Sequence, residues 1–231
     1  LEEFKNLFKD DKRITSLFWN TIYETPGDPT FTESNLLYGK PVLTEYLTLE
    51  NGEKLYFDIQ PQAFFQTNSK QAELLYSKVI ELASLEGDER VFDLFCGTGT
   101  IALFCAHKAK EVIGIELNPS AVESAISNAL RNNIKNATFY LGTVEERLKN
   151  LKEKPDVLIV DPPRAGLGEK VVEQCSKFAP KKIVYVSCNP ATLARDLSIF
   201  SAGGYKISVV QPVDMFPQTK HIECVVLLVK S

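Results

Sequence analysis

The stretch Val91-Phe-Asp-Leu-Phe-Cys-Gly-Thr-Gly-Thr100 decides the fold, because a buried strand here runs into a glycine-containing turn and then a helix. Gly97 and Gly99 would let the backbone come close to a ligand just before the helix N-terminus. A structural turn explains a lone G-x-G pattern equally well. The G-x-G-x-x-G fingerprint of dinucleotide-binding proteins is not completed, because position 102 is alanine.

From about residue 68 onward, short apolar runs alternate with segments of helical periodicity. The predicted strands are Val91–Phe95, Val112–Ile115, Val157–Val160 and Ile183–Val186. The predicted helices are Ser69–Leu82, Ile101–Ala106, Pro119–Asn132 and Glu169–Phe178. This spacing predicts parallel βαβ units and a doubly wound α/β sheet. Tyr205–Val213 and Glu223–Val229 follow each other without a helix, which predicts an antiparallel pair at the sheet edge.

Residues 1–60 have a different pattern and predict a small β-rich appendage. Tyr46–Ile59 is a candidate hairpin in which Asn51-Gly52 would form a type I′ turn. Apolar residues alternate along its two arms: Leu47, Leu49, Leu55, Phe57 and Ile59. Residues 25–30 predict a loop. Because such a segment is too small to hold its own core, we expect an accessory segment at 1–60 and a main domain at 61–231.

The composition is that of a globular protein. The chain has 231 residues, 44% hydrophobic and 24% charged, which excludes a disordered, collagenous or fibrous protein. No apolar run, Val225–Val229 included, approaches the ~18–20 residues of a membrane span. The charged first twenty residues do not resemble a signal peptide. Since the chain begins at Leu1, we expect a fragment or processed form of a longer protein.

Cysteine spacing and charge narrow the possible partners. The five cysteines include no C-x-x-C pair, so we expect neither a disulfide framework nor a metal site, and a reducing cytoplasm as the compartment. The net charge is −4, with −5 in residues 1–60 and +1 in residues 61–231. This balance argues against binding to nucleic acid by bulk electrostatics alone.

Two acidic residues accompany the glycine turn. Glu116 ends the second strand, where its carboxylate can accept hydrogen bonds from both ribose hydroxyls of a nucleoside cofactor. Asp93 opens the glycine loop, and an acid at this position fits S-adenosylmethionine better than NAD. Together these residues predict a nucleoside-cofactor site.

Asp161 and Cys188 follow later strands. Asp161, in Asp161-Pro-Pro-Arg-Ala-Gly166, would face the crevice at the carboxyl ends of the strands, or it could cap the next helix. Cys188 precedes a helix N-terminus, which would favour a thiolate; the alternative is a buried, inert cysteine. The other cysteines are predicted to be of that inert kind: Cys96, Cys105, Cys175 and Cys224.

Glu223 opens the apolar last strand. It is either an exposed end residue or a general base, because burial would raise its pKa toward the working pH. We expect the nearby His221 to have a positioning or structural role.

Five motifs follow one another along the chain. They are Pro61-Gln-Ala-Phe-Phe-Gln-Thr-Asn68, Asp93-Leu-Phe-Cys-Gly-Thr-Gly-Thr100, Asp161-Pro-Pro-Arg-Ala-Gly166, Ser187-Cys-Asn-Pro190 and His221-Ile-Glu223. This series resembles that of the RNA uracil-C5 (5-methyluridine) methyltransferases over about residues 35–231. The resemblance implies a mostly parallel, seven-stranded, Rossmann-like methyltransferase sheet with an antiparallel edge strand. It also implies S-adenosyl-L-methionine as the cofactor.

The resemblance further implies roles for individual residues. Cys188 would be the nucleophile that attacks uracil C6, and Glu223 the base that removes the C5 proton. Asp161 would be a third catalytic residue and, with Phe64, would contact the uracil. The residues around the cofactor would be Gln66, Phe95, Thr100, Glu116, Thr143 and Asp161. The substrate would be transfer or ribosomal RNA, residues 1–60 would belong to an RNA-contacting domain, and we expect a monomer.

The chain departs from this family in two features. It contains no small basic β-barrel, and its cysteines lack the spacing of the iron–sulfur cluster found in some members. Two other functions stay open: a nitrogen-directed nucleic-acid methyltransferase, which would leave Cys188 dispensable, and a catalytically silent cofactor- or RNA-binding module. Neither gives Cys188 and Glu223 a purpose.

Overall fold

A computed structural model describes residues 1–23 and 31–231 of the chain, so the loop predicted at residues 25–30 lies outside the described residues. The helices are α1 (Glu2–Phe8), α2 (Ser69–Ala83), α3 (Thr100–Ala106), α4 (Pro119–Arg131), α5 (Val144–Asn150), α6 (Glu169–Phe178) and α7 (Pro190–Ala202). The strands are β1 (Ser16–Tyr23), β2 (Phe31–Gly39), β3 (Leu43–Thr48), β4 (Lys54–Ile59), β5 (Arg90–Leu94), β6 (Glu111–Glu116), β7 (Ala137–Leu141), β8 (Val157–Val160), β9 (Lys182–Ser187), β10 (Tyr205–Val213) and β11 (Glu223–Lys230). A helix that crosses a bilayer would need a longer apolar stretch than any of these described helices has.

Seven of these strands form one sheet in the order β10-β11-β9-β8-β5-β6-β7. The strands from β9 to β7 are parallel, whereas β11 is antiparallel to both β9 and β10. The predicted doubly wound α/β fold with an antiparallel edge is therefore confirmed. The chain proceeds from β5 to β6 and β7 on one side and then returns to the other side for β8 and β9. Ligands bind at such a switch point, outside the carboxyl ends of the strands.

Helices cover both faces of the sheet and give it two apolar cores. One core lies under α2, α3 and α4, and the other lies under α5, α6 and α7. Successive strand residues point to opposite faces, so Val91 joins the first core and Phe92 the second. The residues of β8 are all buried, as expected for a central parallel strand.

Within residues 61–231, three elements were not fully identified from the sequence, and α1, β1 and β2 in residues 1–60 were not identified singly. β7 is an edge strand with Phe139 as its one buried residue, so it lacks a continuous apolar run. α5 has only seven residues and buries Val144 and Leu148. α7 was predicted only at its N-terminus. Phe95, predicted as the last strand residue, lies beyond β5 with a left-handed φ of 64°.

The hairpin of β3 and β4 is present, but its turn differs from the prediction. The Gly52 N–H donates to the Leu49 carbonyl, and the Leu49 N–H donates to the Glu53 carbonyl, closing a three-residue loop. Gly52 has a positive φ of 84°, whereas Asn51 does not have a positive φ. A type I′ turn needs positive φ at both central residues, so the predicted type I′ turn is wrong.

The hairpin packs directly against the main sheet layer. Its buried side chains join the core under α2 and α3: Leu47, Leu55 and Phe57. The Asp58 N–H donates to Asn128 Oδ1 at 2.8 Å, and the Tyr56 N–H donates to Asn132 Oδ1 at 2.8 Å. These bonds fasten β4 to α4 and its C-cap. They thereby fix the start of the strap, residues 60–68, which connects β4 to α2.

Candidate active site

Backbone hydrogen bonds join Glu116 to the glycine loop at the carboxyl ends of β5 and β6. The Gly97 N–H donates to Glu116 Oε2 at 3.0 Å, and the Asn118 N–H donates to Oε1 at 2.8 Å. Each carboxylate oxygen can accept a further hydrogen bond. Glu116 is therefore held in one orientation and keeps acceptors for two ribose hydroxyls.

The two glycines of the loop serve different purposes. Gly97 has a φ of 52°, and a Cβ there would meet nothing within 4 Å, so this part of the backbone borders open space. Gly99 has a φ of 81°, and a Cβ there would lie 3.0 Å from both Phe139 Cζ and Ala125 Cβ. Gly97 thus permits the close approach of a ligand, whereas Gly99 is required by packing against β7 and α4.

Asp93 supplies a fit test for the cofactor. The residue is fully buried, and neither carboxylate oxygen has a hydrogen-bond partner among the described residues. Burial, and then the charge of Asp161, raise the pKa of Asp93 well above the usual range. The Ala102 N–H, which points toward the carboxyl, opposes this rise. A buried carboxyl with unfilled acceptors suits a cationic ligand. The ammonium and sulfonium of S-adenosylmethionine are cationic, so the residues present fit this cofactor.

Cys188 directly follows β9, and Glu223 is the first residue of β11, the strand that pairs with β9. Ser187, the last residue of β9, is paired with Cys224 of β11. Cys188 and Glu223 are the neighbours of this last pair in the chain, so they lie close together at the same end of the two strands, and the charge of Glu223 acts on the Cys188 thiol. Cys188 is partly exposed, whereas Glu223 is only 8% exposed. A reachable thiol therefore stands beside a desolvated carboxyl.

Electrostatic interactions connect these two residues to Asp161 and Arg164. Burial raises the pKa of Glu223 to about 7, and Arg164 opposes the rise. Burial, and then the charge of Glu223, raise the pKa of Asp161 to about 7. Burial, Glu223 and Asp161 together raise the pKa of Cys188 above its usual value, although Arg164 opposes the rise, so the expectation that this position favours a thiolate is wrong for the protein without ligands. Both carboxyl groups can therefore exchange a proton near neutral pH.

These shifts predict a pH-dependent stability of the cofactor-free protein. Because the pKa of Asp161 is raised from an ordinary ~4 to about 7, the folded state binds more protons in this window and the free energy of unfolding falls as pH rises. Asp161→Asn removes one such group. Its melting temperature should fall less than that of the wild type between about pH 5 and about pH 8.

Asp156 offers a control of opposite sign. A backbone hydrogen bond from Arg90 lowers the pKa of Asp156. Asp156 therefore stabilises the folded protein above about pH 4, the ordinary pKa of the group, and this stabilisation is lost only as the pH falls below that value. The difference in melting temperature between Asp156→Asn and the wild type should stay constant over the same pH range. Equal losses for Asp161→Asn and the wild type would show that Asp161 does not titrate in this window.

The strap carries two of the predicted site residues. The Phe64 ring is 76% exposed and available for stacking. Gln66 is partly buried and, together with Phe65, lines a groove of about 460 Å³ beside β1 and β3. The lining of this groove includes none of the other predicted cofactor residues, so a cofactor role for Gln66 stays a prediction.

The remaining predicted cofactor residues occupy distinct positions. Phe95 precedes the glycine loop in a left-handed conformation that only a few per cent of non-glycine residues adopt. Thr100 begins α3 and is buried, with its Oγ1 3.3 Å from Thr98 Oγ1. Thr143 caps α5, where its Oγ1 accepts the Glu146 N–H at 3.2 Å. This cap accounts for a threonine at position 143 by itself, so its contact with a cofactor also stays a prediction.

Two features of the site were not identified from the sequence. Tyr76 of α2 is buried, and burial together with the charges of Asp161, Asp93 and Glu223 raises the pKa of its phenol, which therefore stays a neutral donor. The Arg164 guanidinium lies 3.1 Å from His221 Nδ1. The helical periodicity of α2 indicates only that Tyr76 is buried, and no local pattern pairs Arg164 with His221. The inert assignment of the other four cysteines is consistent with their burial.

Similar sequences were found along most of the chain. A family described as tRNA (Uracil-5-)-methyltransferase matches residues 32–231. An uncharacterized RNA methyltransferase of Bacteroides thetaiotaomicron is 53% identical over 239 residues, covering 99% of this chain and 51% of the relative. Another from Clostridium tetani is 44% identical over 230 residues, covering 98% of this chain and 49% of the relative. The chain thus spans about half the length of the curated relatives it matches.

Solved structures are also similar. The Pyrococcus abyssi tRNA (uracil-54, C5)-methyltransferase, crystallised with S-adenosyl-L-homocysteine, is 36% identical with a TM-score of 0.76. The similarity covers 93% of this chain and 51% of that protein. Trm5b from the same organism is 20% identical with a TM-score of 0.66, covering 100% of this chain and 71% of that protein, and supports the fold alone.

Proposed function

The chain belongs to the tRNA (uracil-5-)-methyltransferase family, and on this premise we propose that it transfers a methyl group from S-adenosylmethionine to C5 of a uridine in RNA. The observation that carries the proposal is the proximity of Cys188 and Glu223 at the paired ends of β9 and β11. The relative crystallised with S-adenosyl-L-homocysteine supports the cofactor. We further propose a structured transfer or ribosomal RNA as substrate, residues 1–60 as an accessory RNA-contacting segment, and residues 61–231 as the methyltransferase domain.

The proposed chemistry requires a nucleophile because uracil C5 is itself a weak carbon nucleophile. The Cys188 thiolate adds to C6, which breaks the C5=C6 double bond and gives C5 enolate character. S-adenosylmethionine, when bound, supplies an electrophilic methyl group to this carbon. Glu223 then removes the C5 proton, the electron pair re-forms the C5=C6 bond, and the Cys188 thiolate leaves.

The electrostatics of the site support the role of Glu223 as the base. A general base works best when its pKa lies near the working pH, and the pKa of Glu223 is raised to about 7. Arg164 opposes the upward pKa shifts of both Glu223 and Cys188. Its positive charge therefore favours the ionised forms that proton removal and nucleophilic attack require.

Asp161 and Phe64 account for recognition of the base in this proposal. The ionised Asp161 carboxylate can accept a hydrogen bond from the uracil N3–H, whereas cytosine has no proton at N3. Phe64 is exposed on the strap and offers a stacking face for a nucleotide taken out of its helix. A nitrogen-directed methyltransferase would leave the thiol and the buried carboxyl beside it without a role.

Trapping with RNA that contains 5-fluorouridine tests the proposal. After methyl transfer, C5 of this analogue carries fluorine in place of the removable proton, so the bond between Cys188 and C6 cannot break. The expected result is a protein–RNA band that survives denaturation and forms only when S-adenosylmethionine is present. Methylation of uridine RNA without any trapped band on fluorinated RNA would contradict the covalent mechanism.

A further inference from the structure

Asn189 makes a hydrogen bond at each end of its side-chain amide. Its Oδ1 accepts the Ala191 N–H at 3.1 Å and so caps α7. Its Nδ2 donates to the Arg164 carbonyl at 3.0 Å. The residue thus joins the turn that carries Cys188 to the loop of residues 161–168, which carries Asp161.

The first two turns of α7 bind the same loop at further points. Thr192 Oγ1 donates to the Arg164 carbonyl at 3.2 Å, and Arg195 Nη2 donates to the Ala165 carbonyl at 2.8 Å. The Leu167 N–H donates to Asp196 Oδ2 at 2.7 Å. All three bonds end on main-chain atoms of the loop, so they fix its path rather than one of its side chains.

Asp196, which binds the loop at Leu167, is itself held in a fixed position. Asp196 is fully buried, and its Oδ2 also accepts the Tyr185 hydroxyl of β9 at 2.7 Å. Gly166 has a φ of 75°, and a Cβ there would lie 2.6 Å from the same oxygen. The loop therefore lies against Asp196 as closely as its backbone allows, and it has little room to shift.

On the basis of the proposed function, we propose that Asn189 is a positioning residue that sets the separation between the Cys188 thiol and the Asp161 carboxyl. Asn189 is covalently next to Cys188, and its bond ends on Arg164, three residues after Asp161. Pro162 and Pro163 lie between and stiffen that path. The thiol must reach C6 of the base whose N3–H Asp161 holds. The separation between the turn that carries Cys188 and the loop of residues 161–168 therefore decides whether the thiol can approach the face of the ring at C6.

Asn189→Asp separates this role from capping. Aspartate caps a helix as well as asparagine does, and the N-terminal end of a helix favours a negative charge. It has no N–H to donate, however, and its second oxygen would repel the Arg164 carbonyl. Asn118, the cap of α4, is also followed by proline, and its Oδ1 accepts the Ser120 N–H at 3.0 Å. The melting temperature of Asn118→Asp therefore serves as the stability reference.

The experiment measures how fast the covalent adduct forms on 5-fluorouridine RNA in the presence of S-adenosylmethionine. For Asn189→Asp we expect formation about 10²-fold slower than for the wild type, because a misplacement of about 1 Å can cost that much. Its affinity for S-adenosylmethionine and its KM for RNA should be unchanged, and its melting temperature should lie below that of Asn118→Asp only by the loss of the one hydrogen bond to Arg164. Adduct formation at the wild-type rate would overturn the proposal.

Thr192→Val is the second variant, in case Asn189→Asp fails to fold. It removes a hydroxyl that lies 3.2 Å from both the Arg164 carbonyl and the Asn189 carbonyl, and it leaves the capping bond from the Ala191 N–H to Asn189 Oδ1 in place. We expect a smaller slowing, about 5- to 10-fold, in kcat but not in KM. A wild-type rate for this variant would also count against the proposal. If the wild-type protein itself forms no adduct, the covalent mechanism fails, and that result is distinct from failure of the positioning role.

Discussion

Replacing Cys188 with alanine should abolish methyl transfer, with a loss of at least about 10⁴-fold in rate. The reason is chemical: without the thiolate there is no covalent bond to C6, and C5 is too weakly nucleophilic to take the methyl group. Transfer of radiolabelled methyl groups to RNA measures the effect. Affinity for S-adenosylmethionine should stay close to the wild-type value, since the thiol acts on the base.

A matched control for this prediction is Cys175→Ala. Cys175 lies on α6 and is fully buried in the core on the face of the sheet that α2 does not cover. This variant should keep most of its methyl transfer even if its melting temperature drops. Substantial methylation by Cys188→Ala would refute the covalent mechanism.

The second large effect concerns Glu223→Gln. Glutamine cannot take up the C5 proton, so the reaction should stop after methyl transfer with Cys188 still bonded to C6. The variant should therefore accumulate a protein–RNA adduct on ordinary, unfluorinated RNA, carrying the transferred methyl group. Turnover should fall by about 10²- to 10⁴-fold. The measurement is a denaturing gel in which a methyl label migrates with the protein.

Two variants check the origin of this band. The double variant Cys188→Ala with Glu223→Gln should give no band, because it has no thiol to bond. Glu169→Gln, at an exposed position in the first turn of α6, should turn over like the wild type. If Glu223→Gln binds the cofactor normally but forms no adduct, Glu223 acts before the methyl group is transferred.

Local patterns predicted most of the fold and supplied the candidates for the site residues. Continuous apolar runs marked β5, β6, β8 and β9 because both faces of these strands are covered by helices. β7 is also a parallel strand, but it lies at the edge of the sheet and buries a single residue, and a single residue creates no pattern. The turn at Asn51-Gly52 was assigned from its residue types, whereas its conformation depends on the register of the strands around it.

The arrangement of the site depends on contacts between distant parts of the chain. Cys188 and Glu223 were identified singly, but their proximity follows from the pairing of β9 with β11 across 35 positions of sequence. Asn189 was visible only as the residue before a proline. Its bond to Arg164 depends on where the loop of residues 161–168 lies, which no local pattern contains.

The antiparallel insertion of β11 has a consequence for how the site can vary. A parallel strand contributes only its last residues to the ligand-binding edge. The first residue of β9, for example, lies about 20 Å from that edge, because each of its six residues advances the strand by about 3.3 Å. β11 runs the other way, so among the seven strands of this sheet it alone contributes its first residue, Glu223. The position of Glu223 is therefore set by the pairing of β11 with its neighbours and not by the length of residues 214–222, whose own ends are held by the buried Met215 and by His221 beside Arg164. One residue inserted within β11 itself would turn every following side chain to the opposite face.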